Sequence, residues 1–167
     1  MLRRNAAVLV LHEQATNSII LTERSNQLQM HPGEICFPGG LWEEQDESLF
    51  ATALRELNEE LGIESHRVTL IKPLKPEQTL TGYLIYPWLA TIKTINPYSL
   101  SEEVVDVFPI TVTKACKIAN YQLIEVERRG FKFKSYQFMP ERRFVWGATA
   151  RIMRQLCEFE NKDYFSK

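Results

Sequence analysis

Cysteine is scarce and unpaired in this chain. Cys36, Cys116 and Cys157 are odd in number, widely spaced among 167 residues, and none lies in a CxxC pair. That argues against a disulfide framework and a zinc site, and points to a reducing compartment. An excess of either charge is also missing: 20 Lys and Arg stand against 21 Asp and Glu, a net charge of -1, with a pI near 6.3. Nothing global therefore favours nucleic acid or an anionic membrane as partner, and any anion site must be local. Long hydrophobic runs are absent as well. The opening "MLRRNAAVLVLHE" has an apolar run far too short for a membrane span and no small-residue cleavage site. It reads as a strand, with no sign of export and a cytoplasmic location expected. His12, His31 and His66 show no metal-ligand spacing, and there is neither an internal repeat nor a low-complexity segment.

What is present is a hydrophobic fraction of 44%, enough for one compact domain over residues 1–167 with a buried core. "AAVLVLH" (6–12) and "SIILTER" (18–24) are aliphatic runs joined by a short polar turn, which predicts a hairpin. From 26 to 47 the chain is rich in Gly, Pro and polar residues, with "HPGE" and "FPGG" as breakers, and reads as a long ordered loop. Strands are expected at 67–71, 83–93, 121–127 and 131–138, the last two forming a hairpin at "RRG". "VWGATARIMRQLCEFENK" closes the chain as an amphipathic helix with Ile152, Leu156 and Phe159 on one side. The mixture predicts an α/β (α+β) fold, a mixed β-sheet sandwiched between α-helices.

From Ser48 the pattern turns helical. Phe50, Leu54, Leu57 and Leu61 fall within roughly 60° of one another at about 100° per residue, and Glu56, Glu59 and Glu60 are centred roughly 130° away. The acids belong to "RELNEELGI", in which Gly62 reads as the residue just past the helix end. Like charges three and four apart repel by a few tenths of a kcal/mol, and the helix C-terminus disfavours acids further. Such a cluster makes chemical sense around a divalent cation, because hard Mg²⁺ or Mn²⁺ prefers oxygen ligands and cancels the repulsion. Glu56 and Glu60, four apart, can reach one ion; Glu59 can bind a second or polarise water; Arg55 can orient one of the acids.

The wider stretch "GGLWEEQDESLFATALRELNEELGI" resembles the Nudix box, G-x5-E-x7-R-E-U-x-E-E-x-G-U with U aliphatic, and Gly40, Arg55, Glu56, Leu57, Glu59, Glu60, Gly62 and Ile63 match. Between Gly40 and Arg55 there is one residue more than that pattern allows, so either Asp46 or Glu47 stands at the first acid position. The longer spacing is similar to the coenzyme A pyrophosphatase branch of the family. So is the upstream "ILTERSNQLQMHPGEICFPGG", in which Leu21, Thr22, Arg24, Ser25, Gly33, Phe37, Pro38, Gly39 and Gly40 match in register and Gln29 replaces an Arg of the signature. "TGYLIYP", "EEVVDVF" and "FVWGATARI" also look like that branch, so the resemblance covers nearly the whole chain.

The resemblance implies a Nudix fold and a hydrolase that cuts the diphosphate of coenzyme A, using Mg²⁺ or Mn²⁺. It implies Glu56, Glu60 and Glu59 as metal ligands, with a backbone oxygen near Gly39 or Gly40, and Glu59 or the downstream acid Glu103 (or its neighbour Glu102) as base. Arg24, Ser25, Gly39, Trp42 and His31 are the expected substrate contacts, Trp42 either stacking on a base or covering the loop. Arg128, Arg129, Lys132 and Lys134 either protect a hairpin edge or replace the cation lost at Gln29. A small-molecule substrate is expected, without nucleic acid or membrane, and a homodimer is left open. Two alternatives stand beside this: the same fold acting on ADP-ribose, a dinucleotide or a nucleoside triphosphate, and a non-catalytic nucleotide-binding module.

Overall fold

The computed structural model describes residues 5–159 and 162–165. The first four residues of the opening strand, and 160–161 in the expected closing helix, lie outside the described residues. The hairpin forms as the sequence predicts, from β1 (Asn5–Glu13) and β2 (Ser18–Arg24). The two strands pair only at its closed end, through His12 with Ile19 and Glu13 with Ser18. Beyond that they part, and "ICFPGGL" fills the gap. The expected loop over 26–47 thus contains two short strands, β3 (Ile35–Cys36) on β2 and β4 (Gly39–Leu41) on β1. Pro38 joins them by accepting a 2.8 Å hydrogen bond from the Leu9 N–H.

Helix α1 (Leu49–Leu61) follows, its first turn capped by the Ser48 hydroxyl, which accepts from the Ala51 N–H at 3.1 Å. Gly62, left-handed at φ +64°, ends it and donates to the Asn58 carbonyl at 2.8 Å. Next come β5 (Val68–Pro73), β6 (Glu77–Gln78), β7 (Leu84–Ile92) and β8 (Val104–Thr111). β1 and β7 are parallel, whereas β5 and β6 on β7 and β8 on β2 are antiparallel, giving an eight-stranded mixed sheet. A short helix α2 (Val112–Ala115) leads to a separate three-stranded sheet of β9 (Tyr121–Arg128), β10 (Phe131–Phe138) and β11 (Val145–Trp146). Helix α3 (Gly147–Gln155) is shorter than expected: a 3-10 turn, Leu156–Glu158, replaces its last turn.

Alternation along the strands builds two cores. Ala7, Leu9, Leu11, Ile20, Ala90 and Ile92 face α1, where Ala53, Leu57 and Leu61 pack on them. Val10, Ile19, Leu21, Leu89 and Ile110 face the other way, onto Ile152 and Met153 of α3, Leu156 of the turn after it and Phe138 of β10. Each fully buried Leu or Ile contributes about 1.5–3 kcal/mol, so both helices are fixed to the sheet by these stripes.

The helix is rotated relative to the stripe read from the sequence. Ala53 and Glu60 are buried, while Phe50 and Leu54 are only half-buried. Glu60 lies about 60° from Leu57 around the axis, at the border of the apolar face, and the incoming β4 segment covers that border. The expectation that all three acids share the solvent face is therefore corrected: Glu60 is 3% exposed.

Gly39 makes this close approach feasible. Its φ is +152°, and a Cβ there would meet the Ala7 carbonyl oxygen and stand 2.6 Å from Val8 Cα. Gly130, at φ +78° in the β9–β10 turn, has nothing within 4 Å. Gly39→Ala is expected to lower the thermal midpoint by at least about 4–8 °C, from a loss above about 2 kcal/mol. Gly130→Ala should cost about half as much, since it carries backbone strain without the clash. Equal losses in thermal melts would refute the close-packing account.

Candidate active site

The segment between β4 and α1 carries the first acid, and the structure decides which residue that is. Asp46 takes a two-pronged bond from Arg55, Nε to Oδ1 at 2.9 Å and Nη2 to Oδ2 at 3.1 Å. Its Oδ2 also accepts from the Thr52 hydroxyl at 2.9 Å and the Glu43 N–H at 3.0 Å. The side chain is 5% exposed, and the Arg55 bond chiefly holds its carboxyl down at about 2. Glu47 is exposed. The spacing from Gly40 is thus the one kept, and the additional residue falls between Asp46 and Arg55.

Arg55 then spreads its remaining donors. Nη2 binds the Leu41 carbonyl at 2.9 Å, and Nη1 binds Glu56 Oε1 and Glu59 Oε2, each at 3.0 Å. One guanidinium so ties β4, the connecting loop and two box acids together. Glu59 is splayed outward, its side chain 56% exposed. Glu60 points inward and accepts from the Gly39 N–H at 3.2 Å. Glu56 lies against Gly40, where a Cβ would collide with its carboxylate. Both glycines of "FPGG" therefore serve proximity, Gly39 to the sheet and Gly40 to an acid.

Burial, then the charge of Glu56, pushes Glu60 up to about 8; the Gly39 N–H and Arg24 oppose this, and Glu103 adds to it. Glu56 is also raised, first by burial and then by Glu59 and Glu103, against the pull of Arg55. Glu103 is a downstream acid whose charge is felt at both. Among the described residues no three acidic, His or Cys side chains close into a ready metal cluster. What they offer is a pair, Glu56 and Glu60, whose ionised forms repel and are short of water. That donor set fits a hard divalent cation, which would favour both charged forms.

The expected substrate residues are less concentrated. Arg24, at the end of β2, is half-buried; its Nε is buried with no hydrogen-bond partner among the described residues, and its charge is felt at Glu60 and Cys36. Ser25 is buried and its N–H donates to the Glu103 carbonyl at 2.7 Å, which links the upstream signature to the downstream acid. Trp42 covers the loop, donating from Nε1 to the Asp46 carbonyl at 3.3 Å, and stays 45% exposed. His31, left-handed at φ +54°, turns its ring onto Glu34 at 2.8 Å. Arg128, Arg129, Lys132 and Lys134 lie exposed on the β9–β10 hairpin, Lys132 paired with Glu125 at 3.0 Å.

The profile of the NUDIX domain matches residues 1–132. The chain belongs to the Nudix family. It is 38% identical over 157 residues to an uncharacterized Nudix hydrolase, NudL, of Citrobacter koseri, covering 93% of this chain and 82% of the relative. The corresponding protein of Enterobacter sp. is 36% identical with the same coverage. Among solved structures, an Ap4A hydrolase of C. elegans superposes with a TM-score of 0.55 at 20% identity, over 65% of this chain and 80% of that one. The Nudix hydrolase RenU of M. smegmatis gives 0.55 at 16%, over 67% and 73%. These likenesses bear out the fold, and the protein is a Nudix hydrolase acting on diphosphate bonds. No described helix is long and apolar enough to cross a membrane.

The raised Glu60 carboxyl makes stability pH-dependent in metal-free protein. Between an unfolded value near 4.3 and a folded value of about 8, only the folded state holds the proton, so stability is expected to fall as pH rises through that window. Glu60→Gln should flatten the slope, and excess Mg²⁺ or Mn²⁺ at pH 8 should restore the wild-type loss. Melts in chelator that show the same slope in both proteins would contradict this assignment.

Proposed function

We propose that this Nudix hydrolase cleaves the diphosphate of coenzyme A or its derivatives, yielding 4'-phosphopantetheine and adenosine 3',5'-bisphosphate, with Mg²⁺ or Mn²⁺ held by Glu56 and Glu60. The observation that carries the reading is Arg24. A guanidinium half-sunk beside the acid pair, with its buried Nε unpartnered among the described residues, leaves a cation there for a phosphate oxygen to meet. It belongs to "LTERS", the stretch that resembles the coenzyme A branch and is tied through Ser25 to Glu103.

The residues then divide the work as follows. Arg55 fixes the direction of Glu56 and Glu59; Gly39 and Gly40 let the substrate-side backbone lie against the acids. A cation held by Glu56 and Glu60 would supply positive charge against the crowded diphosphate oxygens and would make water a better nucleophile. Glu103 is assigned to take that water's proton, with Glu59, held on Arg55, as the other candidate. Arg24 binds a phosphate oxygen, and Trp42 shields the loop. A second reading keeps the fold and site and changes the substrate to ADP-ribose, a dinucleotide or a nucleoside triphosphate. It is supported by Gln29, which is exposed and neutral where the signature has a cation.

A metal-dependent panel of coenzyme A, acetyl-coenzyme A, ADP-ribose, NADH and a dNTP separates these. Preferential release of 4'-phosphopantetheine is expected; preferential cleavage of ADP-ribose would overturn the substrate assignment, and no cleavage at all would favour a binding module. Glu60→Gln should lower kcat by at least about 100-fold with the fold intact.

Loss of the Arg24 charge should act mainly on binding. Arg24→Ala is expected to raise KM for coenzyme A by about 10-fold or more, in line with loss of a charge-assisted hydrogen bond. An unchanged KM would remove Arg24 from the substrate site.

A further inference from the structure

The downstream acid presents a physical difficulty. Glu103 is exposed on the segment entering β8, which docks on the end of α1 that carries Glu60, so its like charge stands near the box acids. Glu56 and Glu60 cannot retreat because α1 is packed on the sheet. A loop-borne carboxylate can, unless its backbone is held.

Upstream of Glu103, the chain at 94–97 is gathered by Arg67. It stands just past α1, at the end of the 3-10 turn Ser65–Arg67. Its guanidinium is wrapped by four successive carbonyls: Nη1 donates to Pro97 at 2.8 Å, and Nη2 to Thr94 at 2.9 Å, Ile95 at 3.0 Å and Asn96 at 2.9 Å. From the other side the buried Glu13 carboxylate accepts from the Ile95 N–H at 2.7 Å and the Thr94 hydroxyl at 3.1 Å. The chain then runs along the end of α1. The Ser99 N–H donates to the Leu61 carbonyl at 2.9 Å and the Ser101 N–H to the Glu60 carbonyl at 3.0 Å. The Glu103 N–H donates to the Ser101 hydroxyl at 3.3 Å, and the Glu103 carbonyl accepts from Ser25. The segment that carries the third acid is therefore registered on the backbone of Glu60 itself, two residues before Glu103.

We propose that Arg67 is a positioning residue of the hydrolase: by gathering the carbonyls of 94–97 it sets the register in which 99–103 docks on the end of α1, and so keeps Glu103 against the acid pair. This rests on the reading of Glu103 as the proton acceptor. A lysine cannot replace it, because an ammonium lacks the planar fan of donors that spans four carbonyls. A displacement of about 1 Å at the reacting groups is enough to cost about 100-fold in rate.

The test is a double-mutant cycle on the full chain with Mg²⁺, assayed on coenzyme A, or on ADP-ribose if that is the compound the wild type cleaves. Arg67→Ala and Glu103→Gln should each lower kcat by about 100-fold with KM changed by less than about 3-fold, and the double variant should be no slower than Glu103→Gln alone. Arg67→Lys, which keeps the charge and most of the bulk, should show the same loss if Arg67→Ala does not fold. Full activity in Arg67→Lys, or losses that multiply in the double variant, would overturn the positioning role and reduce Arg67 to a stabilising contact. A wild type inactive on every diphosphate would overturn the function reading and this inference together. An active wild type with an active Arg67 variant overturns the inference alone.

Discussion

The missing side chain at Gly39 is the constraint on which the rest of the site depends. Because β1 and β2 part after their hairpin, a segment must enter between them, and it enters at a separation that no Cβ tolerates. That places the Gly39 N–H on Glu60 and the Gly40 backbone on Glu56. Had β4 stood a side chain's width further out, Glu60 would face water like any exposed helix acid. The raised carboxyl of Glu60 follows from its burial under β4, against the pull of the Gly39 N–H, so the electrostatics follow from the packing.

A second layer of order comes from the single guanidinium of Arg55. It gathers a loop acid, two helix acids and a strand carbonyl, and so makes one rigid unit of three consecutive segments. Its effect on the two box acids differs. Glu59 is drawn outward by direct bonding to Arg55, as Glu56 is bonded on the inner side, while Glu60, not bonded to Arg55, is buried against Gly39. Two glutamates adjacent in sequence thereby acquire opposite environments, one exposed and one buried.

Much of this was legible in the sequence. The hairpin at 6–24, the Ser48 start and Gly62 stop of α1, and the β9–β10 hairpin all follow from periodicity and capping chemistry, which are local. The box acids were legible because their mutual repulsion lacks a structural explanation. What escaped was set by contacts distant in the chain. Strand β8 was not read as a strand; Pro109 lies within it and is tolerated because, among the described residues, β8 pairs only with β2. The burial of Glu60 depends on where β4 lands, and the choice between Asp46 and Glu47 on which carboxylate Arg55 can reach. The carbonyl wrap around Arg67 has no sequence signal, since any surface arginine looks the same before the chain folds.

The tie between Asp46 and Arg55 runs through side chains and not through the backbone between them. The linker can therefore lengthen by a residue while the carboxylate stays on the same two nitrogens. Families built on such a tie will drift in spacing without drifting in geometry. A pattern that counts residues will then miss members that a pattern of partners would keep.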